Sequence, residues 1–379
     1  MNVYLDNAAT TPIDPKVVEA MIPVLQSNFG NPSSIHSHGR ESRSIIERSR
    51  KKIASFFNAS PSEFFFTSGG TEADNMILRC AVRDLGVTHI VTTPLEHHAV
   101  LHTAERLRDE NEVKLSLLDV CNKGKVDLSE LKEILEKTEG KTLVSIMHAN
   151  NEVATKISLK EVGDLCKEYG ALFHSDTVQT MGHYTFDFQE LNIDFATCAA
   201  HKFHGPKGIG FLYMNSDIQI TPMITGGAQE RNMRAGTENI YGIVGLTKAL
   251  ELAYEDLETH QIQIQEIKSH MIQRLKTEIP GVHFNGDSES TDSLYTVLNV
   301  CFPSTKINEM FLYNLDIEGF SVSGGSACSS GTDIGSHVLR GVNSPMDRPS
   351  VRFSFGRFNT IADVDKCVDV LSALYPVEV

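Results

Sequence analysis

Between Val18 and about Met214, short runs with strand-like composition alternate with helical patterns. This alternation constrains the fold most, because strands joined by helices form a mainly parallel sheet covered on both faces. The predicted strands are Phe64–Thr67, His89–Thr92, Val113–Leu118, Leu143–His148, Ala171–Ser175, Phe195–Ala199 and Gly210–Tyr213. The predicted helices are Arg40–Phe57, Glu72–Arg83, Val100–Glu110, Leu128–Lys137 and Leu159–Tyr169. Ligands bind outside the carboxyl ends of such strands, so polar residues at those ends are candidates for a binding site.

The last third of the chain has a different organisation. A long helical stretch from Asn239 to about Ile279 is followed by the turn-rich segment Pro280–Ser293, which indicates a domain junction. Beyond it, the pattern predicts a smaller α+β unit. Its predicted elements are strands Val297–Phe302 and Val351–Phe355 and helices Ile307–Leu315 and Asp363–Leu374.

Composition excludes several function classes. The 379 residues carry a formal net charge of -15 without a basic run, which argues against a nucleic-acid surface. No apolar run approaches the roughly 18 residues of a spanning helix, and Met1–Ala9 does not resemble a signal peptide, so a cytoplasmic protein is expected. Seven cysteines without a CxxC pair fit reduced thiols better than disulfides or a zinc site.

The segment Thr67–Asn75 follows an apolar strand and opens a helix. Free backbone N–H groups at such a helix start bind anions, so Gly70 and Thr71 are candidates for holding a phosphate. Alone, the segment would fit an ordinary capped turn better than a phosphate site. No Gly-Lys-Ser/Thr follows, so it is not a Walker A loop.

Asp176 ends one predicted strand, and Lys202 lies just after the next, 26 residues on. A carboxylate for the pyridinium nitrogen and an amine for the aldehyde are what a pyridoxal-phosphate site needs. Lys202 would form the Schiff base and move the α-proton. A glycine-rich turn and two histidines surround Lys202, which distinguishes it from a surface lysine such as Lys207.

Other polar residues also follow strands. His97 could stack over a cofactor ring, and Asn150, Asn151 and Gln179 could contact the cofactor or satisfy loop backbone. His98 and His102 have helical spacing that would suit zinc, but the sequence places no third ligand, so no resident metal is expected.

Cys328 lies in the Gly/Ser-rich segment Ser321–Gly331, which offers nothing apolar to bury a thiol and favours a mobile nucleophile. The other cysteines fit buried positions in helices or strands, apart from Cys121 in a turn. Arg352 and Arg357 flank a predicted strand, where an arginine can bind a carboxylate or form a surface ion pair.

With these motifs in order, the chain resembles the cysteine desulfurases, class V members of the fold-type I pyridoxal-phosphate enzymes. The resemblance covers nearly the whole chain, and the Cys328 segment is similar to that of the group I enzymes. The matching segments are Tyr4–Pro12, Gly30–Ser34, Thr67–Glu72, His148–Glu152, Gly226–Arg231, Arg234–Thr237 and Phe353–Arg357.

The resemblance implies how the cofactor is bound. Lys202 would form the Schiff base, Asp176 would meet the pyridine nitrogen and His97 would stack on the ring. Asn151 and Gln179 would contact the phenolic oxygen. The phosphate would be bound by Gly70, Thr71, His201 and, across a homodimer interface, Thr237.

The resemblance also implies the reaction. Arg352, with Asn151, would hold the carboxylate of L-cysteine, and Cys328 would take its sulfur as a persulfide and leave L-alanine. The sulfur would pass to an acceptor or iron-sulfur scaffold protein, for cluster assembly or tRNA thiolation, with Cys328 as a candidate transient cluster ligand. The expected fold is a large domain, residues 15–257, and a small α+β domain, residues 1–14 and 258–379, that carries Cys328.

Two departures from the family pattern matter. Ala199 replaces a usual serine, so one hydroxyl contact to the phosphate is missing. The chain stops at Val379, where housekeeping enzymes carry a further tail that docks the scaffold, so scaffold docking is less supported than the chemistry. Two alternative functions stay open. One is an aminotransferase of the same fold, which would not require Cys328. The other is a non-catalytic sulfur-relay subunit, and the presence of Lys202, His97 and Cys328 argues against it.

Overall fold

A computed structural model describes residues 2–304, 310–324 and 335–375 of the chain. Its strands are β1 (Val3–Tyr4), β2 (Phe64–Thr67), β3 (Val87–Thr92), β4 (Lys114–Leu117), β5 (Lys141–Ser145), β6 (Leu172–Asp176), β7 (Phe195–Ala199), β8 (Gly210–Met214), β9 (His283–Phe284), β10 (Val297–Cys301), β11 (Phe320–Ser321) and β12 (Ser350–Ser354). Its α-helices are α1 (Pro15–Ser27), α2 (Ser37–Ser55), α3 (Gly70–Leu85), α4 (His98–Asp109), α5 (Leu128–Lys137), α6 (Leu159–Glu168), α7 (Ile240–Glu255), α8 (Leu257–Glu278), α9 (Phe311–Ile317), α10 (His337–Gly341) and α11 (Ile361–Leu374).

The large sheet has the strand order β2-β8-β7-β6-β5-β3-β4. Pairs from β7 to β4 are parallel, whereas β8 runs antiparallel to both of its neighbours. Side chains alternate across the sheet, so Phe65 packs on one face and Phe64 and Phe66 on the other. The predicted α/β fold with a mainly parallel central sheet is confirmed.

Helices cover both faces of this sheet. One buried cluster contains the apolar sides of α3 and α4, and another contains those of α1, α2, α5, α6 and α7. A separate buried cluster joins Val3 and Leu5 to residues between 264 and 371, around a sheet of order β12-β10-β9. Among the described helices, none is both long and apolar enough to cross a bilayer.

The structure corrects one helix prediction in the last third of the chain. The stretch from Asn239 to Ile279 is two helices, α7 and α8, which meet at the non-helical residue Asp256. The start predicted at Ile307 lies outside the described residues, which contain helix α9 from Phe311 to Ile317. A turn-rich segment does follow α8, but it also contains the short strand β9.

The helix α1 was missed by sequence reasoning, although it carries a clear start signal. Asp14 caps the helix by accepting a hydrogen bond from the N–H of Lys16 at 2.7 Å, and Pro15 occupies the first turn. The helix packs against α7 through buried Val17. Pro23 inside the helix weakens the helical pattern, which explains the omission.

Candidate active site

A cavity of about 260 Å³ opens at the carboxyl ends of β6 and β7. The two strands are parallel and pair Asp176 with Thr197, so their ends lie side by side. Ten of the predicted site residues fall within the described part of the chain, and nine of them line this cavity. They are Gly70, Thr71, His97, Asn151, Asp176, Gln179, His201, Lys202 and Arg352.

Lys202 reaches the cavity from a single 3-10 turn, Ala200–Lys202, directly after β7. Its amine donates hydrogen bonds to the carbonyl oxygens of Ala8 at 2.6 Å and Ala9 at 3.0 Å. The segment before α1 therefore forms one wall of the site and aims the amine. A primary amine held in this way suits the aldehyde group of pyridoxal phosphate.

Asp176 is the last residue of β6 and is buried. Burial and, to a smaller extent, the neighbouring Asp74 raise the pKa of its carboxyl to about 6, while His97 acts in the opposite direction. The backbone N–H of Val178 donates to Oδ1 at 2.9 Å and fixes the carboxyl group. A fixed carboxyl with raised proton affinity is suited to a pyridinium N–H.

His97 caps α4, where its Nδ1 accepts a hydrogen bond from the N–H of Ala99 at 3.2 Å. Burial lowers the pKa of the imidazole, and Asp176 partly opposes this effect. The ring is therefore neutral near pH 7, as stacking on an aromatic ring and proton transfer require. One ligand atom each of Asp74, His97 and Asp176 lies within 4.8 Å of the others, a spacing that suits a cation or a protonated heterocycle. Lys202 in the same cavity favours the heterocycle.

The start of α3 provides the anion-binding end of the cavity. Its N-cap residue, Gly69, has a φ of 151° and presents the first helical N–H groups. A Cβ on Gly70 would lie 2.6 Å from Cγ2 of Val178, so only glycine allows this close approach. Nearby, the Nδ1 atom of His201 lies 3.1 Å from the hydroxyl of Thr10. These features fit a phosphate group.

Ala199 lines the same cavity and is buried. It supplies no hydroxyl at the position where the sequence comparison expected a serine. A missing hydrogen bond to a charged acceptor costs about 1 to 3 kcal/mol. The phosphate end of the site is therefore intact but has one fewer donor.

Arg352 lies on β12 and is almost completely buried. Its Nη2 pairs with Asp6 at 2.9 Å and its Nη1 donates to the carbonyl oxygen of Asn151 at 3.0 Å. Its Nε is buried without a hydrogen-bond partner among the described residues. Gln179 is held differently, by a bond from its Nε2 to the carbonyl of Ala8 at 3.1 Å.

Several sequence candidates lie elsewhere. Thr237 lines a second cavity of about 170 Å³ together with Arg234. Arg357 pairs with Asp14, away from the site. Asn150 supports the loop, because its Oδ1 accepts the N–H groups of Glu152 and Val153. Cys328 lies outside the described residues.

Sequence reasoning missed Asp74, Met147, Val178, Ala8 and Ala9 as lining residues. Asp74 had a usable signal, since it lies one helical turn after Gly70 on α3 and therefore faces the same side. The other four residues have no such sequence signal, because their position in the cavity depends on chain segments that meet only in the folded protein.

Comparison with known proteins agrees with this geometry. The family described as "Aminotransferase class-V" matches residues 3–367. The chain is 44% identical over 368 residues to the "Putative cysteine desulfurase IscS 1" of Bacillus subtilis, covering 96% of this chain and 95% of that protein. It is 43% identical over 379 residues to the "Cysteine desulfurase IscS" of Dictyoglomus turgidum, covering 98% and 94%. An X-ray structure of a NifS-like protein from Rickettsia africae superposes with a TM-score of 0.89 at 32% identity, covering 100% of both chains.

Proposed function

The chain belongs to the class-V aminotransferase family, and we propose that it is a pyridoxal-phosphate-dependent cysteine desulfurase that releases L-alanine from L-cysteine. One observation carries the proposal: the amine of Lys202, the carboxyl of Asp176, the imidazole of His97 and the glycine start of α3 meet in one cavity. Its near full-length relatives bear the desulfurase name.

Pyridoxal phosphate, when bound, supplies an electron sink that weakens the bonds at the substrate's α-carbon. The chain's own groups would divide the remaining work. Lys202 would hold the aldehyde carbon and move the α-proton at Nζ, and Asp176 would keep a proton on the ring nitrogen. His97 would stack on the ring and exchange protons. Thr71 and His201, with the N–H of Gly70, would hold the phosphate.

The substrate side of the cavity suits an amino acid. Arg352 would bind the carboxylate of L-cysteine, with Asn151 beside it. Because Asp6 and the Asn151 carbonyl already orient the guanidinium, it enters binding with little loss of side-chain freedom. Asn151 and Gln179 would also serve the phenolic oxygen.

Cys328 would be the sulfur acceptor. Its thiolate would attack the substrate sulfur, so that an S–S bond forms and the C–S bond breaks. The electron pair stays on the carbon, which takes up a proton and leaves as L-alanine. Residues on both sides of segment 325–334 lie against the site and support this role. Ser323 exchanges backbone hydrogen bonds with Arg352, and Ser336 donates to Glu152 at 2.5 Å.

We also propose a homodimer, in which Thr237 completes the phosphate site of the partner subunit. An exposed apolar surface on and after α1 supports it. The surface comprises Val18, Ile22, Leu25, Phe29 and Ile35, of which Phe29 is 79% and Ile35 is 90% exposed. Such contiguous apolar side chains mark protein interfaces. Ile22→Glu should shift the mass measured by light scattering towards the monomer, and an unchanged mass would contradict this interface.

The finer assignments follow from the chemistry. A nucleophilic thiol requires a reducing compartment, which favours the cytoplasm. The persulfide must be passed to a sulfur acceptor or an iron-sulfur scaffold protein, for cluster assembly or tRNA thiolation. The separate buried cluster around β10 supports a small domain of residues 1–14 and 258–379 beside a large one of residues 15–257.

The test is to add L-cysteine to the purified protein with its cofactor and measure alanine and sulfide under a reductant. We expect Lys202→Ala to lose turnover, and Cys328→Ser to keep the cofactor's visible absorbance and lose sulfide release. Cys121→Ser is the matched control, because Cys121 is an exposed free thiol away from the site. Undiminished sulfide release by Cys328→Ser would refute the mechanism. Equal transamination by wild type and Cys328→Ser would favour an aminotransferase.

A further inference from the structure

Asp74 and His174 form a buried pair beside Asp176. Asp74 projects from the first turns of α3 and His174 lies on β6, two residues before Asp176. The Oδ1 of Asp74 and the Nε2 of His174 are 3.5 Å apart, and the side chains are 1% and 0% exposed. The proposed roles of the cavity residues leave both groups unused.

The geometry of the pair suits a shared proton. Neither Asp74 Oδ1 nor His174 Nε2 has another hydrogen-bond partner within the described part of the chain. The other ring nitrogen, His174 Nδ1, is occupied by the hydroxyl of Ser145 at 2.8 Å. The Thr197 hydroxyl also approaches Asp74, but the facing Oδ1 and Nε2 atoms are satisfied only when one proton lies between them.

The pKa values of the two groups leave Asp74 partly negative near neutral pH. Burial lowers the pKa of His174 to about 4, so its ring is neutral, and burial raises the pKa of Asp74 to about 7. The other titratable groups facing the pair are Asp176, Glu96 and His97, and Lys202 acts on His97 within the same cavity. Of these, Glu96 is fully buried, and burial raises the pKa of its carboxyl well above the ordinary value.

We propose that Asp74 and His174 are positioning residues for the cofactor's ring nitrogen. The shared proton leaves part of a negative charge on Asp74, within 4.8 Å of Asp176. This second negative potential adds to that of Asp176 and stabilises the positive charge of a protonated ring nitrogen. The inference rests on the proposed function only in requiring that pyridoxal phosphate is the cofactor.

The test compares two cofactors bound to the apoprotein: pyridoxal phosphate and 1-deazapyridoxal phosphate, which lacks the ring nitrogen. The readout is the ratio of their dissociation constants. Asp74→Asn keeps the shape of Asp74 and removes its charge, so the preference for pyridoxal phosphate should fall about tenfold, the factor that one pKa unit represents. An effect confined to packing would weaken both compounds equally and would overturn the proposal.

His174 offers a matched pair of variants. His174→Phe removes the proton-sharing nitrogen, so it should lower the ratio as Asp74→Asn does, and the double variant should lower it no further. His174→Gln can still donate an N–H to Asp74 and should keep the ratio near that of wild type. Glu63→Gln removes a buried carboxylate outside the site, which accepts from the N–H of Ser60, and should leave the ratio unchanged.

A measurement on the wild type guards against variants that do not fold. The ¹⁵N chemical shift of labelled pyridoxal phosphate should report a protonated ring nitrogen from pH 6 to 9, and a neutral nitrogen at pH 7 would overturn the proposal. If Asp74→Asn leaves the ratio unchanged and the wild type forms alanine normally, only this inference is refuted. If the ratio falls in Asp74→Asn but the wild type forms no alanine from L-cysteine, the desulfurase function is refuted instead.

Discussion

Lys268 is a buried lysine whose charge should make the stability of the protein depend on pH. It lies on α8 with 0% of its surface exposed, and its amine donates to the hydroxyl of Ser293 at 2.8 Å and to the carbonyl of Leu294 at 2.9 Å. Burial lowers its pKa from 10.5 to about 7, although Asp287 acts in the opposite direction. The folded state therefore binds the proton less tightly than the unfolded state.

The sign and size of the effect follow from this difference. Between pH 7 and 10.5 the unfolded chain carries more of this proton, so the free energy of unfolding rises with pH. The gain is about 2 kcal/mol between pH 7 and 9 and about 5 kcal/mol over the whole window. Below pH 7 both states are protonated and the dependence disappears.

Lys268→Met removes this gain while preserving most of the side-chain volume. In urea unfolding followed by circular dichroism at pH 6, 7, 8 and 9, wild type should gain about 2 kcal/mol relative to the variant between pH 7 and 9. Lys276→Met is the control on the same helix, because the Lys276 side chain is 54% exposed, and its difference from wild type should not vary with pH. Parallel curves for wild type and Lys268→Met would refute the reasoning.

Three further changes have definite expected outcomes. Gly70→Ala forces a methyl group against Val178 and should weaken pyridoxal-phosphate binding at least tenfold in a fluorescence titration, corresponding to about 1.4 kcal/mol or more. An unchanged affinity would contradict the close packing of Gly70 against Val178. Glu230→Gln leaves the buried guanidinium of Arg50 without its carboxylate at 2.7 Å and should lower the free energy of unfolding by about 3 to 5 kcal/mol, whereas a loss below 1 kcal/mol would show that the pair is solvated. Ala199→Ser restores a hydroxyl beside the phosphate end and should tighten cofactor binding by about 1 kcal/mol, measured in the same titration; weaker binding would indicate that the hydroxyl finds no acceptor there.

The part of the fold that could be predicted has local causes. Strand β7 and helix α5 have the predicted bounds, because a continuous apolar run or a capped amphipathic stretch determines each of them within a few residues. The division between α7 and α8 was not predictable in this way. Both helices have apolar faces, and the break at Asp256 follows from the two buried clusters that they pack against.

The same contrast between local and long-range causes explains which site residues could be predicted. Asp176 and Lys202 were predicted because each follows a strand, and the parallel pairing of β6 with β7 brings strand ends together whatever the rest of the chain does. The roles of the site residues stay predictions, but their convergence did not require knowledge of distant contacts. Arg352 is the opposite case. Its place in the cavity depends on the carbonyl of Asn151, 201 residues away, and on the carboxylate of Asp6, 346 residues away.

Asp74 shows why a buried charge is harder to predict than a lining residue. On α3 its spacing from Gly70 indicates the right face, but a carboxyl on the inner face of a helix is ordinarily excluded by the cost of burial. It is tolerated here because His174 and the hydroxyl of Thr197 approach it from two adjacent strands. Since three separate elements supply these groups, no local pattern encodes the pair. If His174 serves only to make a buried Asp74 tolerable, replacing both residues by apolar ones should leave the cofactor ratio unchanged. If the partial negative charge of Asp74 acts on the ring nitrogen, the ratio should fall even in a well-folded variant.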